Sequence, residues 1–238
     1  EIVMSRTYRQ TSHDPGSVQK DPENQWYGRF RVRRLDAEAV RDSMLSVSGT
    51  LRAEMYGPPV TAARSPEGRI VAGLEVLNAN RDVIRVDMSA PEVNRRSIYL
   101  QMRRKMPVTV LETSDLPVMD PNCEVRASST VAPQALFLMN DDFVVRSAKA
   151  LAERVRTAAP GEMREQVRRL WELVYGIAPT VLEADRFLVA LSEQTEQIRE
   201  RVAKAPVIKD VAVPDPGLEA MASLCQALLS SNRFLYIE

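Results

Sequence analysis

Between Arg95 and Asn140 the chain reads RRSIYLQMRRKMPVTVLETSDLPVMDPNCEVRASSTVAPQALFLMN. Pro107, Pro117 and Pro121 deny this stretch any long regular element, because each lacks the backbone N–H that a helix or ladder needs. It opens with an alternation. Ile98, Leu100 and Met102 fall on one side and Tyr99, Gln101 and Arg103 on the other, which predicts a half-buried strand. It ends at a helix start, with Thr130 as the expected N-cap and Pro133 in the first turn. The run ALFLM that follows is apolar enough to predict a buried helix.

The flanks divide by pattern. Residues 1–10 read as the end of a helix, as though the chain were a C-terminal fragment of something longer. Residues 11–27 are rich in turn formers and read as loop, and RFRVRR follows as an extended segment. Asp36 is the expected N-cap of a helix carrying Val40, Met44, Val47 and Leu51, closed at Gly49. Residues 57–69 read as loop, and residues 70–88 as strands of a small antiparallel sheet.

After residue 130 the pattern is helical throughout. Asn140 is the expected cap of a helix carrying Phe143, Val144, Ala148, Leu151 and Val155. A second helix spans about 162–175 and stops at Gly176. Thr180-Val181-Leu182-Glu183 is a capping box that opens a long third helix. Residues 205–216 hold three prolines and read as a linker. The last helix runs from Pro216 to Ser231, and Phe234-Leu235-Tyr236 folds back on it as an apolar clasp. The expected fold class is mainly α with a minor antiparallel β element. It forms one continuous domain over 1–238, mixed over 1–129 and helical over 130–238.

Function classes fall away one by one. The formal net charge is zero, from 32 basic and 32 acidic residues, which argues against a nucleic-acid partner. No apolar run is long enough to span a bilayer as a helix. His13 is the only histidine and lies in a polar loop, which removes Ser-His-Asp and Cys-His catalysis and histidine zinc sites. Glycine is scarce and no phosphate loop appears. Cys123 and Cys225 form no C-x-x-C or C-x-x-C-H motif, so no cofactor is expected in this fragment.

Several segments carry a resemblance to a known family. They are Arg95-Arg96-Ser97-Ile98-Tyr99, Asp120-Pro121-Asn122, and Ser129 to Asn140 (STVAPQALFLMN). Ser5 to Gln10 (SRTYRQ), Arg33 to Ala39 (RRLDAEA) and Leu228 to Tyr236 (LLSSNRFLY) fit as well. Together they resemble the C-terminal planctomycete-specific domain of unknown function of large exported proteins. There it follows a second domain of unknown function and often a c-type cytochrome domain. The resemblance implies an exported location, periplasmic or at the cell surface. It also implies upstream domains of the same chain as partners, with haem, if any, in one of them. Outside the cytoplasm a Cys123–Cys225 disulfide is one outcome, and a buried Cys225 acting as a small hydrophobe is the other. Two positions depart from the family pattern: Ile177 stands where an arginine is common, and Arg233 where an acidic residue is common.

The candidate binding residues within this frame are Arg95, Arg96, Tyr99, Asp120, Asn122, Thr130, Gln134 and Asn140. Two readings stay open. In the first, the chain is a non-catalytic structural or partner-binding module, docking on a cytochrome domain or another part of the exported protein. In the second, it acts on or binds an anionic polysaccharide. Asp115, Asp120 or Glu124 would then serve as acid and base, and Arg95-Arg96 would grip the sugar. The carboxylates equally suit turns and caps. The arginines form two clusters, Arg29, Arg31, Arg33 and Arg34 and then Arg95, Arg96, Arg103 and Arg104, which read first as a solvated strand face with ion pairs to Asp36, Glu38 and Asp42. The methionines Met102, Met106, Met119 and Met139 suit either a haem-contacting surface or core filling.

Overall fold

The computed structural model describes residues 1–65, 67–88, 90–117, 123, 126, 129–204 and 213–237. The chain is mainly helical, with short antiparallel strand pairs and a helical C-terminal half.

Ile2–Met4 forms a single 3-10 turn, not the end of a helix. Its three consecutive apolar residues cannot share one helical face. The turn-rich segment holds a short helix, α1 (Pro15–Lys20), which loop composition had hidden. Asp14 accepts from the Gly16 N–H and Pro15 sits at the helix start, a pairing that favours initiation. Next come β1 (Arg33–Arg34) and α2 (Ala37–Ser48). Gly49 closes α2 at φ 77°, a left-handed conformation that side chains disfavour.

Four strands follow: β2 (Ala62–Arg64), β3 (Ile70–Ala72), β4 (Leu74–Leu77) and β5 (Val83–Asp87). The expected loop 57–69 therefore contains a strand. Ala62 and Ala63 are buried there, and their small side chains gave no apolar signal. β2 pairs antiparallel with β3, and β4 with β5.

The strand expected at Ile98, Leu100 and Met102 does not form. Ser97–Tyr99 is a 3-10 turn, Ile98 is 76% exposed, and Leu100 alone is buried. Among the described residues a single parallel bridge joins it to Val60. The alternation is real in sequence, but the 3-10 turn at Ser97–Tyr99 interrupts it, and among the described residues no strand pairs with this segment.

The remaining elements are α3 (Thr109–Thr113), α4 (Ala132–Asn140), α5 (Asp142–Ala158), α6 (Met163–Tyr175), α7 (Val181–Lys204), α8 (Pro216–Leu229), α9 (Asn232–Leu235) and β6 (Tyr236–Ile237). Their boundaries follow local chemistry. Thr180 and Glu183 cap α7 reciprocally: the Glu183 N–H donates to Thr180 Oγ1 at 3.2 Å, and the Thr180 N–H donates to Glu183 Oε2 at 2.7 Å. Asp141, one residue past the expected Asn140, caps α5 by accepting from the Phe143 N–H at 2.9 Å. Residues 205–212 of the expected linker lie outside the described residues.

The main core is helical. α5 buries Val144, Ala148, Leu151 and Val155 against Ala220, Met221 and Cys225 of α8. Trp171 of α6 stands edge-on to Phe187 of α7, with ring centroids 5.0 Å apart. α2 contributes Val40 and Met44 to this core, while Ala37 joins a second cluster with Val60, Ala62, Leu100 and Leu111. Phe137 and Phe143 pack against both clusters. Arg69, beside β3, pins the hairpin to the start of α5 through Asp141 at 2.6 Å and Asp142 at 3.1 Å.

The chain closes with the expected clasp. Phe234 is buried, and β6 pairs antiparallel with β1, Arg33 opposite Ile237 and Arg34 opposite Tyr236. Arg233 forms an ion pair with Glu183 at 2.9 Å and lies over the Tyr175 ring. The departure from the family pattern at this position thus still ends in a salt bridge.

Candidate functional site

α4 decides where a site can form. Its sequence APQALFLMN is almost wholly apolar, yet none of its residues is buried. Only Phe137 and Leu138 turn toward the core, while Leu136 is 59% exposed and Met139 66% exposed. The expectation of a buried helix therefore fails. α4 lies across the join between the two clusters and presents an apolar face outward.

Beneath that helix runs a cleft of ≈ 320 Å³. Phe137, Leu138 and Leu235 line its apolar part, and Arg34, Gln134 and Tyr236 its polar end. β1 brings Arg34, the first turn of α4 brings Gln134, and the clasp brings Tyr236.

The polar end is a closed hydrogen-bonded ring. Asp115, just after α3 at φ 64°, accepts from the Ser129 N–H and from its hydroxyl, both at 2.7 Å. Arg34 reaches the same carboxylate at 3.1 Å and donates to Gln134 Oε1 at 2.9 Å and to the Ser129 carbonyl at 2.5 Å. Gln134 Nε2 returns to Asp115 at 3.3 Å. Burial alone would raise the Asp115 carboxyl. The Ser129 N–H and hydroxyl, then the Arg34 charge and the Gln134 amide, outweigh it and hold the group below the usual carboxylate range.

The start of α4 is built from the same parts. Val131 takes the N-cap position that the sequence assigned to Thr130, and Pro133 stands in the first turn as expected. Gln134 Oε1 reaches back to the Val131 N–H at 3.4 Å. Thr130 is displaced outward, where its hydroxyl meets the Tyr236 hydroxyl at 3.1 Å. Asn140 closes α4 by donating to the Leu136 carbonyl and does not cap the helix that follows.

Arg95 and Tyr99 belong to a different construction. The Arg95 guanidinium lies 3.9 Å from the centre of the Tyr99 ring. It donates to the carbonyls of Pro58 at 2.6 Å and Glu54 at 3.4 Å, and also to that of Tyr56. The Tyr99 hydroxyl accepts from the Tyr56 N–H at 2.9 Å. Buried Arg41 braces the turn from below, donating to the carbonyls of Arg95 and Val93, each at 2.8 Å. Burial pulls the Arg41 guanidinium down to about 10, which leaves it charged at neutral pH. Arg95 and Tyr99 thus hold the 54–58 loop in place, and Arg96 beside them is exposed.

Of the sequence-predicted residues, the structure brings Thr130 and Gln134 to the cleft and places Asn140 at the far end of α4. Arg95, Arg96 and Tyr99 lie at the loop clamp. Asp120, Asn122 and Glu124 lie outside the described residues. Among the described residues, the ion pairs expected between the two arginine clusters and Asp36, Glu38 and Asp42 are made by other arginines. Arg126 takes Glu38 at 2.7 Å and Asp36 at 3.9 Å, and Arg41 takes Asp42 at 3.5 Å. Sequence reasoning named Arg34 and Asp115 in separate lists and missed Ser129 and Tyr236 as site residues. Nothing local announces a contact between positions 130 and 236.

No disulfide joins exposed Cys123 to buried Cys225. Among the described residues, no group of three or more His, Cys, Asp or Glu side chains is placed to hold a metal, and no helix is long and apolar enough to cross a membrane.

Comparison with known proteins gives one match. The family described as PSD1, protein of unknown function (DUF1553), matches residues 1–191. The match ends within α7, so the Leu228–Tyr236 clasp lies beyond it. No curated protein and no solved structure matches the chain.

Proposed function

The chain belongs to the PSD1 family of proteins of unknown function (DUF1553), and from that premise we propose that it is a non-catalytic module that docks another domain of the same exported protein through α4. One observation carries this reading. α4 exposes Val131 at 48%, Leu136 at 59% and Met139 at 66%, beside a largely apolar cleft. Side chains of this kind on a surface helix mark contact faces. Covering what each exposes would contribute about 1–2 kcal/mol.

The state of Asp115, the one sequence-predicted acid/base candidate among the described residues, supports the same reading. Asp115 is held ionised by four donors and has no role left for proton transfer. The Arg95 donors are engaged by three loop carbonyls, which leaves that side chain little capacity to grip a sugar. Export, and a haem-carrying domain upstream as the docked partner, rest on the family resemblance. The chain itself takes no cofactor in this reading.

The experiment is calorimetric titration of the chain with that haem-carrying domain, made separately. The expected result is saturable binding that Leu136→Glu with Met139→Glu abolishes while the melting temperature stays within a degree or two. Both side chains are already exposed, so the charges are tolerated in the free chain. Absence of binding, or binding indifferent to the two substitutions, overturns the proposal.

A further inference from the structure

A second surface is built with a different chemistry. Residues 5–10 (SRTYRQ) and 27–33 (YGRFRVR) lie together and enclose an open groove of ≈ 760 Å³. Among the described residues its lining includes four arginines, Arg9, Arg29, Arg31 and Arg33, and no carboxylate. In a chain of zero net charge, such a one-signed lining is a local concentration of positive potential.

Three of the arginines are available. Arg9, Arg31 and Arg33 are exposed, and none forms an ion pair among the described residues. Arg29 instead holds the wall. It donates to the carbonyls of Asp21 at 2.7 Å and Pro22 at 2.6 Å. Buried Asp21 accepts from the N–H groups of Gln25 at 2.9 Å and Trp26 at 2.8 Å, while buried Asn24 bonds the Arg29 backbone in both directions. The groove is therefore shaped before any ligand arrives, which lowers the cost of binding.

Aromatic rings line the same groove as the charges. Tyr8 is 51% exposed and Tyr27 65% exposed, and Tyr27 is held at φ 53°, a left-handed backbone costly for a bulky residue. Phe30 stands edge-on to Tyr8 with centroids 6.4 Å apart. Guanidinium forks matched to planar or tetrahedral anions, alternating with flat apolar rings, fit a ligand that alternates anionic groups with flat apolar faces.

We propose that this groove binds a short anionic oligosaccharide, with Arg9, Arg31 and Arg33 taking its sulfate or carboxylate groups and Tyr8 and Tyr27 stacking on the sugar rings. The volume lies within the range of about 300–1,000 Å³ typical of small-ligand sites. A single-stranded nucleic acid also pairs arginine with aromatic stacking, but it calls for a longer basic track than one groove in a neutral chain. An acidic peptide would leave the rings without a matching face. None of the groove residues lines the cleft beneath α4, so this site stands or falls independently of the docking proposal.

The test is calorimetric titration of the chain with a heparin tetrasaccharide, a neutral cello-tetraose, an eight-residue oligothymidylate, a hexaglutamate peptide and sodium sulfate alone. The expected result is binding of the tetrasaccharide at least tenfold tighter than each of the others, weakening as salt rises. Arg31→Ala with Arg33→Ala lowers that affinity at least tenfold, and Tyr27→Ala lowers it severalfold. Arg31→Lys keeps the charge, loses the fork, and gives an intermediate loss without disturbing the fold. Leu136→Glu leaves the affinity unchanged. No binding of the tetrasaccharide, equal binding of the oligothymidylate, the peptide or sulfate, or indifference to both Arg31→Lys and Tyr27→Ala overturns the proposal.

Discussion

Ser129 donates twice to Asp115, through its backbone N–H and through its hydroxyl, each at 2.7 Å. That pair of hydrogen bonds fixes the segment leading into α4 against the end of α3, and Arg34 locks it from the clasp side at 3.1 Å. Asp115→Asn keeps the shape and removes the charge. The expected loss is about 1–3 kcal/mol, since Arg34 is left partly buried without its counter-ion. For a chain of this size each kcal/mol is worth roughly 2–4 °C in melting temperature.

The same pair sets a pH dependence. The folded Asp115 pKa lies below the unfolded value, so its stabilisation is fully present above the unfolded pKa. It fades as pH falls through the folded value. Melting curves of the native chain and of Asp115→Asn should therefore differ by a constant amount from pH 7 down to about 5, and then converge in acid below about pH 4. A gap unchanged down to pH 3 would contradict the assignment.

Arg95→Ala should act on a loop, not on a ligand. It removes the donors that hold the carbonyls of residues 54–58 and uncovers the Tyr99 ring. The expected result is faster proteolytic cutting around Tyr56, already 79% exposed, with a destabilisation of about 2–4 kcal/mol. Tyr99→Phe removes only the bond to the Tyr56 N–H and should cost about 0.5–1.5 kcal/mol.

The two thiols should separate cleanly. Burial in the α5–α8 core pushes the Cys225 thiol up and denies reagents access, whereas Cys123 is exposed. Titration with a thiol reagent should modify one cysteine in the native chain and two after denaturation. Peptide mapping should place the first on Cys123.

What the sequence made legible follows from range. The periodic helices α6 and α7, the Thr180–Glu183 box and the stop at Gly176 are written within a few residues of one another, and all were readable. The clasp was readable too, because three apolar residues after a helix have few places to go. Ile98–Met102 forms no strand because alternation is necessary for a half-buried strand but not sufficient, and among the described residues only Val60 bridges it. Thr130 lost the cap because Gln134 could serve Val131 while also bonding Arg34, about a hundred positions away in sequence. Arg95 looked like an anion grip because nothing near it in sequence announces the carbonyls of 54–58. The exposure of ALFLM was hidden for the opposite reason: composition measures how apolar a helix is, not whether anything covers it.

The pairing of Arg33 with Ile237 has a consequence in time. Its two halves lie about two hundred positions apart, so closing it demands a long-range chain closure. During synthesis α2, the hairpins and the α5–α6 pair can all settle before Tyr236 has been made. The cleft beneath α4 then stays open on one side until Leu235 and Tyr236 have been made. Arg34 can already hold Asp115 while the wall formed by Leu235 and Tyr236 is still missing. A cleft whose wall comes this late in the sequence cannot be filled prematurely, and loss of Tyr236 and Ile237 would leave the helical core in place while opening that wall.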